Sequence, residues 1–444
     1  MKKLLALLLA LLLPLPALAA QQSAFPAALQ FSQKAASREY TGENVYILRT
    51  YPATALPAVD AEMRALIDRM AEAGRPFLPA KGDKNRPAYL DVGAAVFRTG
   101  EKWMSFLTIA RIAQEMEQTY VDFDARVYDM ETGAAVTLAD LFPADSPAWA
   151  LLESEARRQL TAYFRQETPD EEALSALLSR EALENTPFTL TPVRLQLHYR
   201  ADALYPGRST LMHVRLDYAQ LRPYMTEAAL RQTDNSAYKL IALTYDDGGA
   251  RGASMKVLDQ LRLYGANATF FIVGVTMAHN HDVLCREQDA GYAVESHNYE
   301  HEYFNLTPAE ISAWRERFDA EMDAIIGAVP TYMRAPGGHY EQFIRAKVGL
   351  PLLQWSLNSS DAGRGPEKVN SIAWKVISAA QPGAVVLMHD LNANAWAYTQ
   401  IILPELEKRG FLCVTVDELF AHYGVPLEAD TVYFGCEAAA GGDE

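Results

Sequence analysis

The chain has 444 residues, half of them hydrophobic, so it is too long for one ordinary domain and rich enough for real cores; two domains are expected. A formal charge of −16, or −18 once Lys2 and Lys3 are removed, argues against docking on nucleic acid or anionic lipid by charge. Three cysteines, Cys285, Cys413 and Cys436, are too few for a disulfide framework; at most one bridge could form, with Cys413–Cys436 the guess.

Met1-Lys2-Lys3, the apolar run Leu4 to Leu13 and the small residues Ala17-Leu18-Ala19-Ala20 read as a secretory signal peptide over 1–20, the alternative being a short uncleaved anchor. No later apolar run is long enough to span a bilayer. A secreted or cell-envelope protein, without a membrane span after signal cleavage, is therefore expected. Residues 21 to about 43 read as a mobile polar leader, and Asn44–Tyr51 as a strand. Val59, Met63, Leu66, Ile67 and Met70 recur at helical spacing. Residues 89–128 read as a strand meander, turned once at Thr99-Gly100-Glu101-Lys102, with Val121, Phe123, Ala125 and Val127 alternating. A long helix places Trp149, Leu152, Ala156, Leu160 and Phe164 on one face, and strands follow at Arg194–Tyr199 and Met212–Tyr218. His198 and His213 are lone histidines in alternating strands and are assigned structural roles. No chemical constellation emerges before residue 235. The expected division is an α+β domain over 21–235, a second domain over 236–428, and a disordered tail over 429–444.

From residue 239 strands alternate with helices, near 239–245, 268–273, 292–296, 331–335, 352–356, 384–389 and 411–416, with one helix over Pro308–Ile326. That alternation predicts a parallel sheet, open or closed into a barrel, with its chemistry at the C-terminal strand ends. Those ends carry ionisable groups: Asp246 and Asp247 in Thr244-Tyr245-Asp246-Asp247-Gly248-Gly249; His297 and His301; Arg334; Asn358 and Asp361 after Trp355; His389 and Asp390. Two adjacent carboxylates at a strand mouth repel unless a cation or shared proton lies between them. His297 and His301 are four apart, so in a helical loop both imidazoles would share a face and grip one ion. One aspartate added to them makes a two-histidine, one-carboxylate set with positions open for water and substrate. His279-Asn280-His281 reads as a solvated helix start, His339 as a candidate groove residue, His422 as structural, and Trp314 and Trp374 as core.

Thr244-Tyr245-Asp246-Asp247-Gly248, Ala268 to Gly274, His297 to His301, Arg334 to Gly338 and Leu387-Met388-His389-Asp390 occur in this order, and together they resemble the NodB-type polysaccharide deacetylases, metal-dependent carbohydrate esterases. The resemblance covers about 239–425. It implies a distorted (β/α) barrel that removes N-acetyl groups from a glycan. It further implies one divalent ion on Asp247, His297 and His301, zinc by default, with cobalt, manganese or iron also fitting the ligand types. Asp246 would be the general base, Arg334 its partner, His389 the general acid, and the Gly337 N–H an oxyanion donor. Tyr245, Trp355, Asn358 and Asp361 would complete the substrate side. The family's Asp-x-x-Asp-Trp motif reads Asn358-Ser359-Ser360-Asp361-Ala362 here. A lowered pKa for His389 is therefore expected unless Asp361 or another acid substitutes. Ala362 removes an aromatic wall that Trp396 or Tyr340 would have to replace.

In the first domain, Val127 to Gly133 and Thr137 to Phe142 resemble a domain of lysozyme-sensing anti-sigma factor ectodomains that also precedes some peptidoglycan deacetylases. That resemblance implies contact with cell-wall glycan or a wall-directed protein. The resulting expectation is a secreted glycan N-deacetylase acting on peptidoglycan. The alternatives are a deacetylase of chitin-like or exopolysaccharide polymers, a non-catalytic glycan- or lysozyme-binding protein, and, least compatible with the ligand order, an iron oxygenase.

Overall fold

The computed structural model of the protein describes residues 24–436 apart from 36–37, 115–116, 249–250 and 303–305. The signal peptide, Gly249 and residues 437–444 lie outside the described residues.

The first part is built on a seven-stranded sheet. Its order is Phe31–Ala35, Val45–Thr54, Ala88–Thr99, Trp103–Gln114, Glu117–Asp129 and Ala135–Val136, with Glu39–Gly42 also on Val45–Thr54. Among the described strands of this sheet only Val45–Thr54 and Ala88–Thr99 pair parallel, and a parallel pair needs a crossover. The helix Pro57–Gly74 supplies it, burying Val59, Met63, Leu66, Ile67 and Met70 against the sheet, the face its sequence period marks. The turn at Gly100 requires glycine: φ is +62°, and a Cβ there would sit 2.3 Å from the Gln232 carbonyl oxygen. The expected leader is instead ordered. Phe25 and Leu29 are buried, and the next residues pair in the sheet.

A second, antiparallel sheet comprises Phe188–Leu190, Arg194–Arg200 and Leu211–Asp217. Its apolar face (Leu195, Leu197, Met212, Val214, Leu216) packs with the helix Ala148–Leu160 in one core. Phe164 falls beyond that helix, at φ +48°, but joins the same core.

The second part carries the expected strand–helix alternation. Its parallel sheet runs Ala293–Ser296, Thr269–Ile272, Lys239–Asp247, Val385–His389 and Leu357–Asn358, with Phe411–Val414 beside the start of Lys239–Asp247. Single bridges, Ser296 to Met333 and Met333 to Leu352, extend the order. The strand expected at 331–335 is thus one bridge, and that at 352–356 is broken. Arg334 explains the break. Its Nε and Nη2 donate to the carbonyls of Leu353 and Gln354 at 3.0 Å, which an uninterrupted ladder would use. The helix Pro308–Ile326 forms as expected, with a capping box between Thr307 and Glu310. Trp374 is not core but 51% exposed. The helix Val369–Ala379 buries Ile372, Ala373, Val376 and Ile377, and position 374 points away from that stripe.

The expected tail is ordered to residue 436: Val432–Tyr433 pairs with Leu352–Leu353, and Cys436 is buried. All three cysteines are free thiols, so the Cys413–Cys436 bridge is not formed.

One hydrophobic cluster runs through both parts, joining Ile47, Leu90 and Val92 to Leu240, Ala242, Phe271 and Leu412. Buried ion pairs cross the same seam. Asp91 lies between Arg111 and Arg262. Arg98 meets Glu407 at 2.7 Å, and Arg194 meets Asp417 at 2.5 Å. Burial alone would raise the Asp91 pKa, but the arginines around it hold it well below the usual carboxylate range.

Candidate metal and catalytic site

The strand Lys239–Asp247 is buried from Leu240 to Asp246, and at its end Asp247 (φ +80°) and Gly248 (φ +67°) fold the backbone back. A Cβ at position 248 would lie 2.3 Å from Ile272 Cδ1 and 3.1 Å from Ile272 Cα, so only glycine lets the turn close. The Gly248 N–H donates to Asp390 Oδ1 at 3.1 Å. This turn points Asp246 and Asp247 into a cleft of about 650 Å³ that is also lined by His297, His301, Gly337, Trp355 and His389.

Asp246 is 2% exposed, and its Oδ1 accepts from Arg334 Nη1 at 2.7 Å. Arg334 is fully buried, which is tolerable only if its donors are satisfied. They go to Asp246, to Thr244 Oγ1 at 2.7 Å and to the two carbonyls named above, while the guanidinium lies 4.2 Å from the Phe271 ring centre. Asp246 Oδ2 is left facing His297 Nε2 at 3.7 Å.

His297 Nδ1 is 2.9 Å from the Arg334 carbonyl oxygen. A carbonyl only accepts, so Nδ1 carries the proton and Nε2 presents its lone pair to the cleft. His297 Nε2 is 3.7 Å, and His301 Nε2 3.2 Å, from Asp247 Oδ1. One ligand atom from each of Asp247, His297 and His301 lies within 4.8 Å of the others. Atoms each about 2.0–2.1 Å from one ion stand about 3–3.5 Å apart, near the 3.2 and 3.7 Å separations from Asp247, so these three residues could hold a small divalent cation. Burial works against ionised Asp247, but the neighbouring imidazoles hold its pKa below the ordinary value, in the ligating form. The loop carrying the histidines is not helical. Asn298 (φ +70°) and His301 (φ +62°) turn it in the left-handed region and bring the ring centres to 5.1 Å.

Across the cleft, His389 Nδ1 donates to Asp361 Oδ1 at 2.9 Å. Asp361 is fully buried. Its Oδ1 also accepts from Ser359 Oγ at 2.8 Å, and its Oδ2 from the His389 N–H at 2.9 Å and the Tyr398 hydroxyl at 2.6 Å. Burial works against a charged His389, but the Asp361 hydrogen bond and the carboxylates of Asp246, Asp361 and Asp247 outweigh it and push its pKa up to about 9. A cation on Asp247 would oppose the last of these. Asp361 thus substitutes for the acid missing at Asn358, the exception under which no lowered pKa is expected. Asn358 is exposed and caps the turn, its Oδ1 accepting from the Ser360 N–H at 2.7 Å; Ser360 (φ +62°) then swings Asp361 into the buried position.

Tyr245 is corrected. It is fully buried, stacked on Phe270, with its hydroxyl 2.9 Å from Thr399 Oγ1, because alternate residues of a strand face opposite sides. Neither Tyr340, Trp396 nor His339 lines the cleft; beside Ala362 the apolar lining comes from Trp355, Leu387 and Leu391, the last 45% exposed. Sequence reasoning passed over Thr244, Ser359 and Tyr398. Thr244, inside the Asp-Asp motif, and Ser359, inside the stretch Asn358 to Ala362, carried a positional signal; Tyr398 carried none. His198 and His213 are hydrogen-bonded to each other, Nδ1 to Nδ1 at 2.8 Å.

The sequence model of the family described as polysaccharide deacetylase matches residues 233–349. The chain is 31% identical over 201 residues to the chitooligosaccharide deacetylase of a Bradyrhizobium species, covering 89% of that protein and 40% of this chain. It is 28% identical over 318 residues to the peptidoglycan-N-acetylglucosamine deacetylase PgdA of Listeria monocytogenes. That alignment takes in 69% of this chain and 66% of the relative, just under two thirds of its length. The solved structure of a family 4 acetyl xylan esterase from Clostridium thermocellum with a cobalt ion aligns over 45% of this chain and all of that chain, at 26% identity and a TM-score of 0.43. The chain belongs to the polysaccharide deacetylase family.

Proposed function

We propose that the protein is a secreted, metal-dependent glycan N-deacetylase, with the second part acting as a distorted (β/α) barrel and N-acetylglucosamine in peptidoglycan as its substrate. The observation that carries the reading is the pairing of two differently held groups across one cleft: Asp246 gripped by Arg334 beside the Asp247–His297–His301 set, and His389 gripped by Asp361 opposite.

Asp247, His297 and His301 would hold the divalent ion, with zinc first by ligand type. When bound, the ion supplies a Lewis acid that polarises the acetyl carbonyl and acidifies water. Asp246 has one oxygen occupied by Arg334, so Oδ2 is the atom that takes the proton of the attacking water. Arg334 keeps that carboxylate aimed into the cleft. His389 has Nδ1 committed to Asp361, so Nε2 is the atom that delivers a proton to the departing amine, and its raised pKa keeps that proton in place at neutral pH. The N–H of Gly337, which lines the cleft, would share the developing negative charge on the acetyl oxygen. Trp355, Leu387 and Leu391 give a sugar ring an apolar wall.

Peptidoglycan is favoured over chitin-like polymers because the alignment with the Listeria protein is longer than the second part, whereas that with the chitooligosaccharide deacetylase covers 40% of this chain. The first part would then serve as the wall-contacting module. Mass spectrometry of muropeptides after treatment of purified peptidoglycan tests the choice. Loss of acetyl groups from N-acetylglucosamine is expected; loss from chitin oligomers alone would overturn the substrate.

A further inference from the structure

The two strands Arg194–Arg200 and Leu211–Asp217 are apolar on one face only. The other face presents Arg194, Gln196 and His198 beside Asp217, Arg215 and His213, residues paired directly across the strands. This polar face is not in solvent. It is turned against the start of the strand Ala293–Ser296, the turn before Met333 and the start of the helix Val416–His422, and a cavity of about 290 Å³ remains between them. Four arginines line it, Arg158, Arg165, Arg194 and Arg215, together with His213, Glu295 and Asp417.

Not all of these charges are paired in contact. Arg194 is spoken for by Asp217 at 2.8 Å and Asp417 at 2.5 Å, and Arg158 by Glu155 at 2.7 Å. Arg165, exposed at the mouth, and Arg215, half-buried, make no ion pair among the described residues. The Asp323 carboxylate is satisfied by the Arg165 backbone N–H at 3.1 Å. The Glu295 carboxylate is taken up by the N–H groups of Thr331 and Tyr332 and by the Thr331 hydroxyl. The nearby Asp417 carboxylate acts on Arg215 but is already in contact with Arg194, so a bound anion would give the half-buried Arg215 guanidinium a contact of its own. Gln196 supplies a second, independent sign. It is 1% exposed, lines the cavity, and its Oε1 has no hydrogen-bond partner. The two ends of an amide exchange by a half-turn, so the same side chain can offer donors to an anion.

We propose that this cavity binds a small anion carrying a carboxylate or phosphate group, held by Arg215 with Gln196 inside and Arg165 at the mouth. The site is separate from the catalytic cleft. Ala293 to Glu295 of the strand Ala293–Ser296 line the cavity and His297 follows the strand's end, but no residue lines both the cavity and the catalytic cleft. Its ligand would clamp the polar sheet face onto the opposite end of the second part from the metal site.

The test is calorimetric titration and thermal melting of the metal-loaded full chain with inorganic phosphate, acetate and succinate, each against chloride at equal ionic strength. A saturable heat and rise in Tm are expected with at least one of the three, and which one responds separates phosphate from carboxylate ligands. Arg215→Gln should weaken that binding at least tenfold, and Arg165→Gln, at the exposed mouth where folding is not at risk, by a smaller factor. An anion held in the catalytic cleft would bind Arg215→Gln and Arg165→Gln as it binds the parent. Equal binding by both variants, or no saturable response to any of the three anions, would overturn the proposal.

Discussion

Replacing Asp361 with asparagine keeps the shape of the side chain and removes its charge. In the parent, the Asp361 hydrogen bond is the largest of the effects that raise the His389 pKa, and together they carry it to about 9 against burial. An unperturbed histidine titrates at about 6.5, and one pKa unit is worth about 1.4 kcal/mol, so the net effect of all these groups is on the order of 3 kcal/mol, with Asp361 the largest contributor. In metal-free Asp361→Asn the His389 pKa should fall to about 7 or below, since burial then meets only Asp246 and Asp247. The sign on stability follows. A histidine raised by folding stabilises the native state fully below about 6.5, and that contribution fades as pH rises through about 9. The stability gap between parent and variant should therefore be widest near pH 6 and close toward alkaline pH. NMR titration of the imidazole resonances reads the pKa directly, and urea melts across pH read the gap. The pH profile of acetate release should lose its alkaline side earlier by about two units, with kcat reduced by about 10²–10⁴ if His389 is the general acid. An imidazole that still titrates near 9 in Asp361→Asn, with an unmoved alkaline limb, would refute the pairing as the cause.

Arg334→Met removes a fully buried guanidinium from Asp246, Thr244 and two carbonyls and leaves a buried carboxylate without its partner. It should cost about 3–5 kcal/mol in urea unfolding, far more than an exposed pair such as Arg231–Glu227 would. Gly248→Ala forces a Cβ into Ile272 at positive φ and should destabilise by about 2 kcal/mol or more while weakening zinc affinity, read by metal titration of the refolded variant.

The parts of the fold legible in the sequence are those where one local rule dominates. Thr307, Pro308 and Glu310 set a helix start, and the apolar period through Ile311, Trp314, Phe318 and Met322 sets its buried face. Lys239–Asp247 is apolar enough to be central in a parallel sheet. Local rules failed where a distant side chain decides the outcome. The 352–356 strand is broken because Arg334 takes its carbonyls. The leader is ordered because its strands find a partner in Val45–Thr54, and Cys436 is buried because Val432–Tyr433 finds one in Leu352–Leu353. In the site, spacing brought His297 and His301 together correctly but for the wrong reason, since left-handed turns rather than a helix converge them. Asn358 and Tyr245 sit inside motifs yet face elsewhere, because a turn at Ser360 and the alternation of a strand decide where they point. Tyr398 reaches Asp361 from a helix whose sequence gives no sign of it.

The most direct test of the central claim is acetate release from purified peptidoglycan by chelator-stripped protein, before and after zinc or cobalt is restored, with Asp246→Asn as the control and metal content measured in each sample. The account predicts no release without metal, release on reconstitution, and a variant that still binds metal but releases at least a hundredfold less acetate. Undiminished release by the stripped protein, or by metal-loaded Asp246→Asn, would contradict it.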